Sequence, residues 1–136
     1  MTAKQFWIKS LTWGVWTWVG VLVAIFMIFT GHLPKRFGHA IYFECGKGWG
    51  GVNFGAIFVV TKGATHRTKA HEYGHAFQNI KWGLLFIPVI AIPSFIRCTW
   101  RKILTKKNPN INLPPYDSIW FEGEATEMGL KYCPKE

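Results

Sequence analysis

An α+β chain with an N-terminal transmembrane helix, then a small antiparallel sheet and two helices, is predicted from three observations. An uncharged run, Leu11 to Thr30, opens the chain; two segments rich in β-branched and aromatic residues follow; and a His-Glu-Tyr-Gly-His pattern begins a stretch of helical periodicity. The 136 residues suffice for one compact domain. The predicted division is a membrane anchor with a short tail over 1–31 and a folded domain over 32–136. A composition 49% hydrophobic and 17% charged excludes disorder, collagen and a coiled coil. The formal charge of +9 suits an anionic lipid surface. Nucleic acid is not an expected partner, because the basic residues are spread and build no reader motif. Cys45, Cys98 and Cys133 form no C-x-x-C pair and read as free thiols.

The run from Leu11 to Thr30 holds twenty residues without a charge, between Lys4 and Lys9 on one side and Lys35 and Arg36 on the other. As one helix it would rise roughly 30 Å, the thickness of the hydrocarbon core, with Trp7, Trp13, Trp16 and Trp18 as an interfacial end. The exit through Phe29-Thr30-Gly31-His32 lacks a small-x-small cleavage pattern, so a retained single-pass anchor is expected rather than a signal peptide. The positive excess beyond residue 30 favours the cytoplasmic side for the rest. Ala40 to Glu44 and Val52 to Thr61 are the strand candidates, and the glycines of CGKGWGG between them permit a hairpin reversal.

Residues 71 to 75 read His-Glu-Tyr-Gly-His. On a helix, His71 and His75 project from nearly the same face, so two imidazoles can serve one metal ion. Glu72 flanks that face, where a general base is needed. At 100° per residue, Tyr73, Phe77 and Ile80 cluster opposite the histidines, while Gln78 and Trp82 fall on their side. Thr65 or Thr68 is the expected cap and Gly83 the expected stop.

A catalytic zinc site takes three protein ligands. The candidates for the third are Glu122, Glu124, Glu127, Asp117, His32, His39 and His66. Pro114-Pro115 breaks the chain, Asp117 or Ser118 can cap a new helix, and Ile119 to Tyr132 has helical character. On that helix Glu122 shares its stripe with Ala125, Thr126 and Gly129, all small, so this face can approach the histidine helix. Glu124 sits nearer Trp120, Phe121 and Met128, and Glu127 is off the stripe. Glu122 is therefore the expected ligand.

The set His71-Glu72-x-x-His75 with Glu122-x-x-Ala125 resembles the gluzincin class of zinc metallopeptidases, especially the small membrane-linked relatives of the CaaX-prenyl and heat-shock membrane peptidases. The stretches HEYGHAFQ and IPSFI are also similar to short bacterial and phage proteins with H-E-[YF]-G-H-x-x-Q, an apolar Pro-Ser segment and a later T-E-x-W-A-[DN]. This similarity covers about residues 50 to 130. It implies a zincin-like domain in which His71, His75 and Glu122 hold Zn²⁺ and Glu72 acts as general base in peptide-bond hydrolysis. Tyr116, His66 and Arg67 are candidates by type for an oxyanion donor. Thr126 stands where the family usually has Asp or Asn supporting a histidine ligand, and Glu124 replaces the Trp before the Ala. That departure motivates the alternative of an inactive zinc-binding membrane interaction protein of the same fold.

The resemblance further implies a peptide or protein substrate, added as a strand along the sheet edge over Val52 to Val60. Leu84 to Ile96 carries Pro88 and Pro93, too short and too broken for a span. Arg97, Arg101, Lys102, Lys106 and Lys107 come directly after it and suit anionic headgroups, or a solvated basic loop.

Overall fold

A computed structural model describes residues 1–135. The order is α1 (Ala3–Thr12), α2 (Thr17–Phe29), β1 (Lys35–Phe37), β2 (Ala40–Glu44), β3 (Gly51–Phe54), β4 (Ile57–Val60), α3 (His66–Trp82), α4 (Ile92–Lys107) and α5 (Trp120–Tyr132). The α+β class is as expected, and two of its expected parts differ.

The single helix expected over 11–30 does not form. The chain breaks between Trp13 and Trp16, and α1 and α2 meet at 106°. Among the described residues no single helix is long and apolar enough to cross a membrane. Gly14 sits at this break, where a Cβ would strike Asn79 of α3. α1 is instead drawn onto the domain: Phe6 is fully buried among His39, Tyr73 and Phe77. α2 lies against β3 and β4, with Gly20 beneath the Phe54 carbonyl and Met27 buried beside Phe43.

The sheet is mixed rather than antiparallel, in the order β1-β2-β4-β3. Residues 52–61 form two strands instead of one because Asn53 and Gly55 make a tight turn. The Asn53 side chain accepts from the Gly55 amide at 2.7 Å and donates to the Gly55 carbonyl at 2.8 Å, and Gly55 takes a φ of 76°. The glycine-rich segment does reverse the chain between β2 and β3, but β4 inserts between them, parallel to β2 and antiparallel to β3. All four side chains of β4 are buried, the pattern of a central strand covered on both faces. β3 is left as an edge.

α3 starts at Thr65, whose hydroxyl accepts from the Thr68 amide, and stops at Gly83 with a φ of 59°. The segment expected to be broken is helical in an irregular way: a 3₁₀ turn over Gly83–Leu85, then a π turn over Ile87–Ala91, with Pro88 inside it and Pro93 just beyond. Proline lacks the amide that an α ladder needs and crowds the carbonyl a turn earlier, which explains the local widening. The basic residues beyond it lie on α4 rather than in a loop.

Candidate metal centre

α3 and α5 cross with backbones nearly touching. A Cβ on Gly74 would fall onto the Ala125 carbonyl, and one on Gly129 onto the Ala70 carbonyl. The small stripe expected on α5 thus has a counterpart on α3, Ala70 and Gly74, to which helical periodicity alone assigns no role. Only this closeness lets a side chain as short as glutamate reach the histidines.

The carboxylate of Glu122 lies between the two rings: Oε2 is 3.4 Å from Nε2 of His71, and Oε1 is 3.4 Å from Nε2 of His75. Ligand atoms of all three residues lie within 4.8 Å of one another. Glu122 is fully buried, and its Oε2 has no hydrogen-bond partner. Burial pushes this carboxyl up, but the two imidazoles beside it outweigh that and hold the group well below the usual range.

Each imidazole is oriented from behind. His75 Nδ1 lies 2.7 Å from Gln78 Oε1, while Gln78 Nε2 donates to the Phe121 carbonyl at 2.8 Å and to Glu124 at 3.2 Å. With its amide nitrogen committed to acceptors, Gln78 offers oxygen to His75, so Nδ1 carries the proton and Nε2 a lone pair. His71 Nδ1 lies 2.8 Å from the Thr126 hydroxyl. Ser94, from the start of α4, donates to Glu122 Oε1 at 2.8 Å.

The remaining candidates are elsewhere. Glu124 bonds Lys81 and Gln78, Glu127 is exposed, and Asp117 pairs with Arg67 at 3.1 Å. His32 meets Thr30, His39 the Met1 carbonyl, and His66 the Pro134 carbonyl. Of the possible oxyanion donors, Tyr116 packs edge-on to His71 with centroids 5.8 Å apart, and Arg67 lines the same cleft but is held by Asp117. His66 lies outside that cleft's lining.

Glu72 is buried on the cleft wall beside Gly51, where an added Cβ would lie 3.2 Å from its carboxylate oxygen. Its side chain makes no hydrogen bond among the described residues, and burial pushes its carboxyl up. Asn53 fixes the helix behind it by donating to the Glu72 carbonyl at 2.9 Å. Asn53, Gln78 and Ser94 are the polar residues to which the sequence pattern gave no task. Gln78, on the histidine side of the helix, and Ser94, in the apolar Pro-Ser segment, each had a signal.

The donor set fits a small divalent ion. A tetrahedral ion bound at about 2.0–2.1 Å spaces its donors by about 3.3–3.4 Å, close to the 3.4 Å separations between Glu122 and each ring. The Nε2 atoms of both imidazoles and the Glu122 carboxylate converge, and the partnerless Oε2 is the buried acceptor such an ion would satisfy. No family model matches the chain, and neither a curated protein nor a solved structure matches it. The fold and site together define an α+β protein with a largely buried His-His-Glu cluster beside an unbonded glutamate.

Proposed function

We propose that this protein is a membrane-associated zinc metallopeptidase. The observation that carries the reading is the buried Glu122 carboxylate set between two imidazoles whose outer nitrogens are already engaged. His71, His75 and Glu122 would hold Zn²⁺, which supplies Lewis acidity and a water acidified to a pKa of about 7. Glu72 takes the proton of the attacking water on its carboxylate and passes it to the leaving amine nitrogen. Its burial and freedom from other hydrogen bonds suit that task. Thr126 and Gln78 keep each ring in one orientation.

The substrate strand joins at β3, the edge of the sheet. The Gly50 carbonyl accepts from Thr61, so by the alternation of an antiparallel pair Gly50, Val52 and Phe54 bond inward and Gly51 and Asn53 face the cleft. The Asn53 carbonyl is taken by the Trp16 indole at 3.0 Å, which leaves Gly51, beside Glu72, as the docking point. Membrane association is supported by apolar faces left uncovered. On α2, Leu22, Phe26 and Phe29 are 69%, 65% and 86% exposed, and on α4, Phe95, Ile96 and Trp100 are also exposed, with Lys107 at its end. Helices of this length lying in the interface fit these faces better than a single-pass anchor.

The test is peptide hydrolysis by zinc-loaded protein in liposomes, compared with Glu72→Gln. Loss of about 10²–10⁴-fold in the variant at unchanged zinc content is expected. Equal rates would end the peptidase reading.

A further inference from the structure

Two cavities of contrasting chemistry meet at the cluster. One, of about 600 Å³, lies on the His75 side and is walled by Trp16, Phe54, Phe86, Ile90 and Phe95. The other, of about 780 Å³, lies on the His71 side and is walled by Arg67, Arg101, Lys102 and Lys106, with Asp117 and Glu72 as its carboxylates. Both contain Glu72, Gly51, Tyr116 and Lys102, so they are two arms of one cleft. The cations are not equivalent. Arg67 is paired with Asp117, and Arg101 donates to the Pro114 carbonyl at 2.7 Å. Lys102 and Lys106 have neither a hydrogen bond nor an ion pair among the described residues, and one turn of α4 separates them, so both present to one face. Lys107, next in the chain, lines neither arm.

We infer that the cleft selects polypeptides carrying a large apolar side chain on one side of the reacting bond and an acidic residue on the other. The apolar side chain fills the arm walled by Phe86, Ile90 and Phe95, and the acidic residue is received by Lys102 and Lys106. This selection rests on the peptidase reading of the cluster. Charge complementarity commits the basic arm to an acidic segment of polypeptide rather than to lipid, because Lys102 and Lys106 line the same arm as Glu72 and His71, beside the cluster.

Fluorogenic peptides with one Phe and one Glu, Gln or Lys flanking the central bond, offered in both orders, test this on the zinc-loaded full chain. The better order is expected to show kcat/KM for Glu above Lys by about tenfold, a charge-pair preference worth about 1.4 kcal/mol. The double variant Lys102→Glu, Lys106→Glu, folded by circular dichroism, is expected to reverse that order. A second readout is the anisotropy of the labelled Phe/Glu peptide on Glu72→Gln, with and without the two lysine changes, which reports binding without turnover. Cleavage that ignores the charge in both proteins overturns the inference and leaves the peptidase reading standing. Lysine-dependent binding with no cleavage of any peptide supports the cleft's selectivity and ends the peptidase reading. Lysine changes that alter only binding to anionic phosphatidylserine vesicles assign these residues to lipid and overturn the inference.

Discussion

Between α3 and α5 the backbones touch, Gly74 under Ala125 and Gly129 under Ala70, and the residues between them are buried. Across the cleft, α4 buries none of its residues, keeps Phe95 and Trp100 exposed, and reaches the cluster through Ser94 alone. The two regions face the same imidazoles under opposite constraints. The seam fixes where the side-chain atoms of His71, His75 and Glu122 sit; α4 lines the cleft beside them. Precision at the cluster depends on the seam, while α4 holds the 114–116 segment through Arg97 and Arg101 and leaves its other side chains largely exposed.

The largest expected effect comes from forcing the seam apart. Gly129→Val puts branched carbon where the Ala70 carbonyl lies, with a cost of about 3 kcal/mol or more, whereas Trp100→Ala on α4 costs within about 0.5 kcal/mol. Paired thermal melts measure both, and similar losses would erase the distinction.

Metal comes next. Zinc at a thousandfold excess over its Kd is expected to raise stability by about 4 kcal/mol, and chelation to reverse the gain. In Glu122→Ala the zinc-dependent rise in Tm disappears, because two imidazoles remain with no carboxylate. A full rise in that variant would place the ion elsewhere.

Within the seam, Thr126→Val removes the group against Nδ1 of His71 and is expected to weaken zinc affinity about 10–100-fold by competition with a chromogenic chelator. Thr126→Asp restores an acceptor and recovers the affinity. Recovery by Val as well would mean that the hydroxyl orients nothing.

The smallest effect lies outside both regions. Lys35 bonds Glu44 at 2.7 Å across the β1–β2 pair and, against slight burial, holds its carboxyl below the ordinary 4.5. A depressed folded-state value means the pair's contribution is present above 4.5 and fades as pH falls through that lower value. The Tm difference between wild type and Glu44→Gln is expected to be small at pH 7 and to shrink as the pH falls below 4.5; a difference that grows on acidification would reverse the sign.

The site was legible in the sequence where a local repeat carried it. Spacing put His71 and His75 on one face, and the small stripe at Ala125, Thr126 and Gly129 pointed to Glu122 over Glu124 and Glu127. The boundaries of α3 and of β2 were equally local, set by Thr65, Gly83 and an apolar run. The 52–61 strand failed because hydropathy does not register the Asn53–Gly55 turn inside an otherwise continuous β pattern. The single helix over 11–30 failed because hydropathy does not register the break between Trp13 and Trp16, where Gly14 packs against Asn79 of α3.

By itself the sequence determined the chemistry on offer, since imidazole pairs, carboxylates and helix periods are properties of neighbours along the chain. Only the tertiary structure decided which distant groups act together: Gln78 behind His75, Ser94 on Glu122, Gly51 beside Glu72, β4 between β2 and β3. These depend on backbones approaching across tens of residues, and that approach arises from packing as a whole rather than from any one segment's pattern.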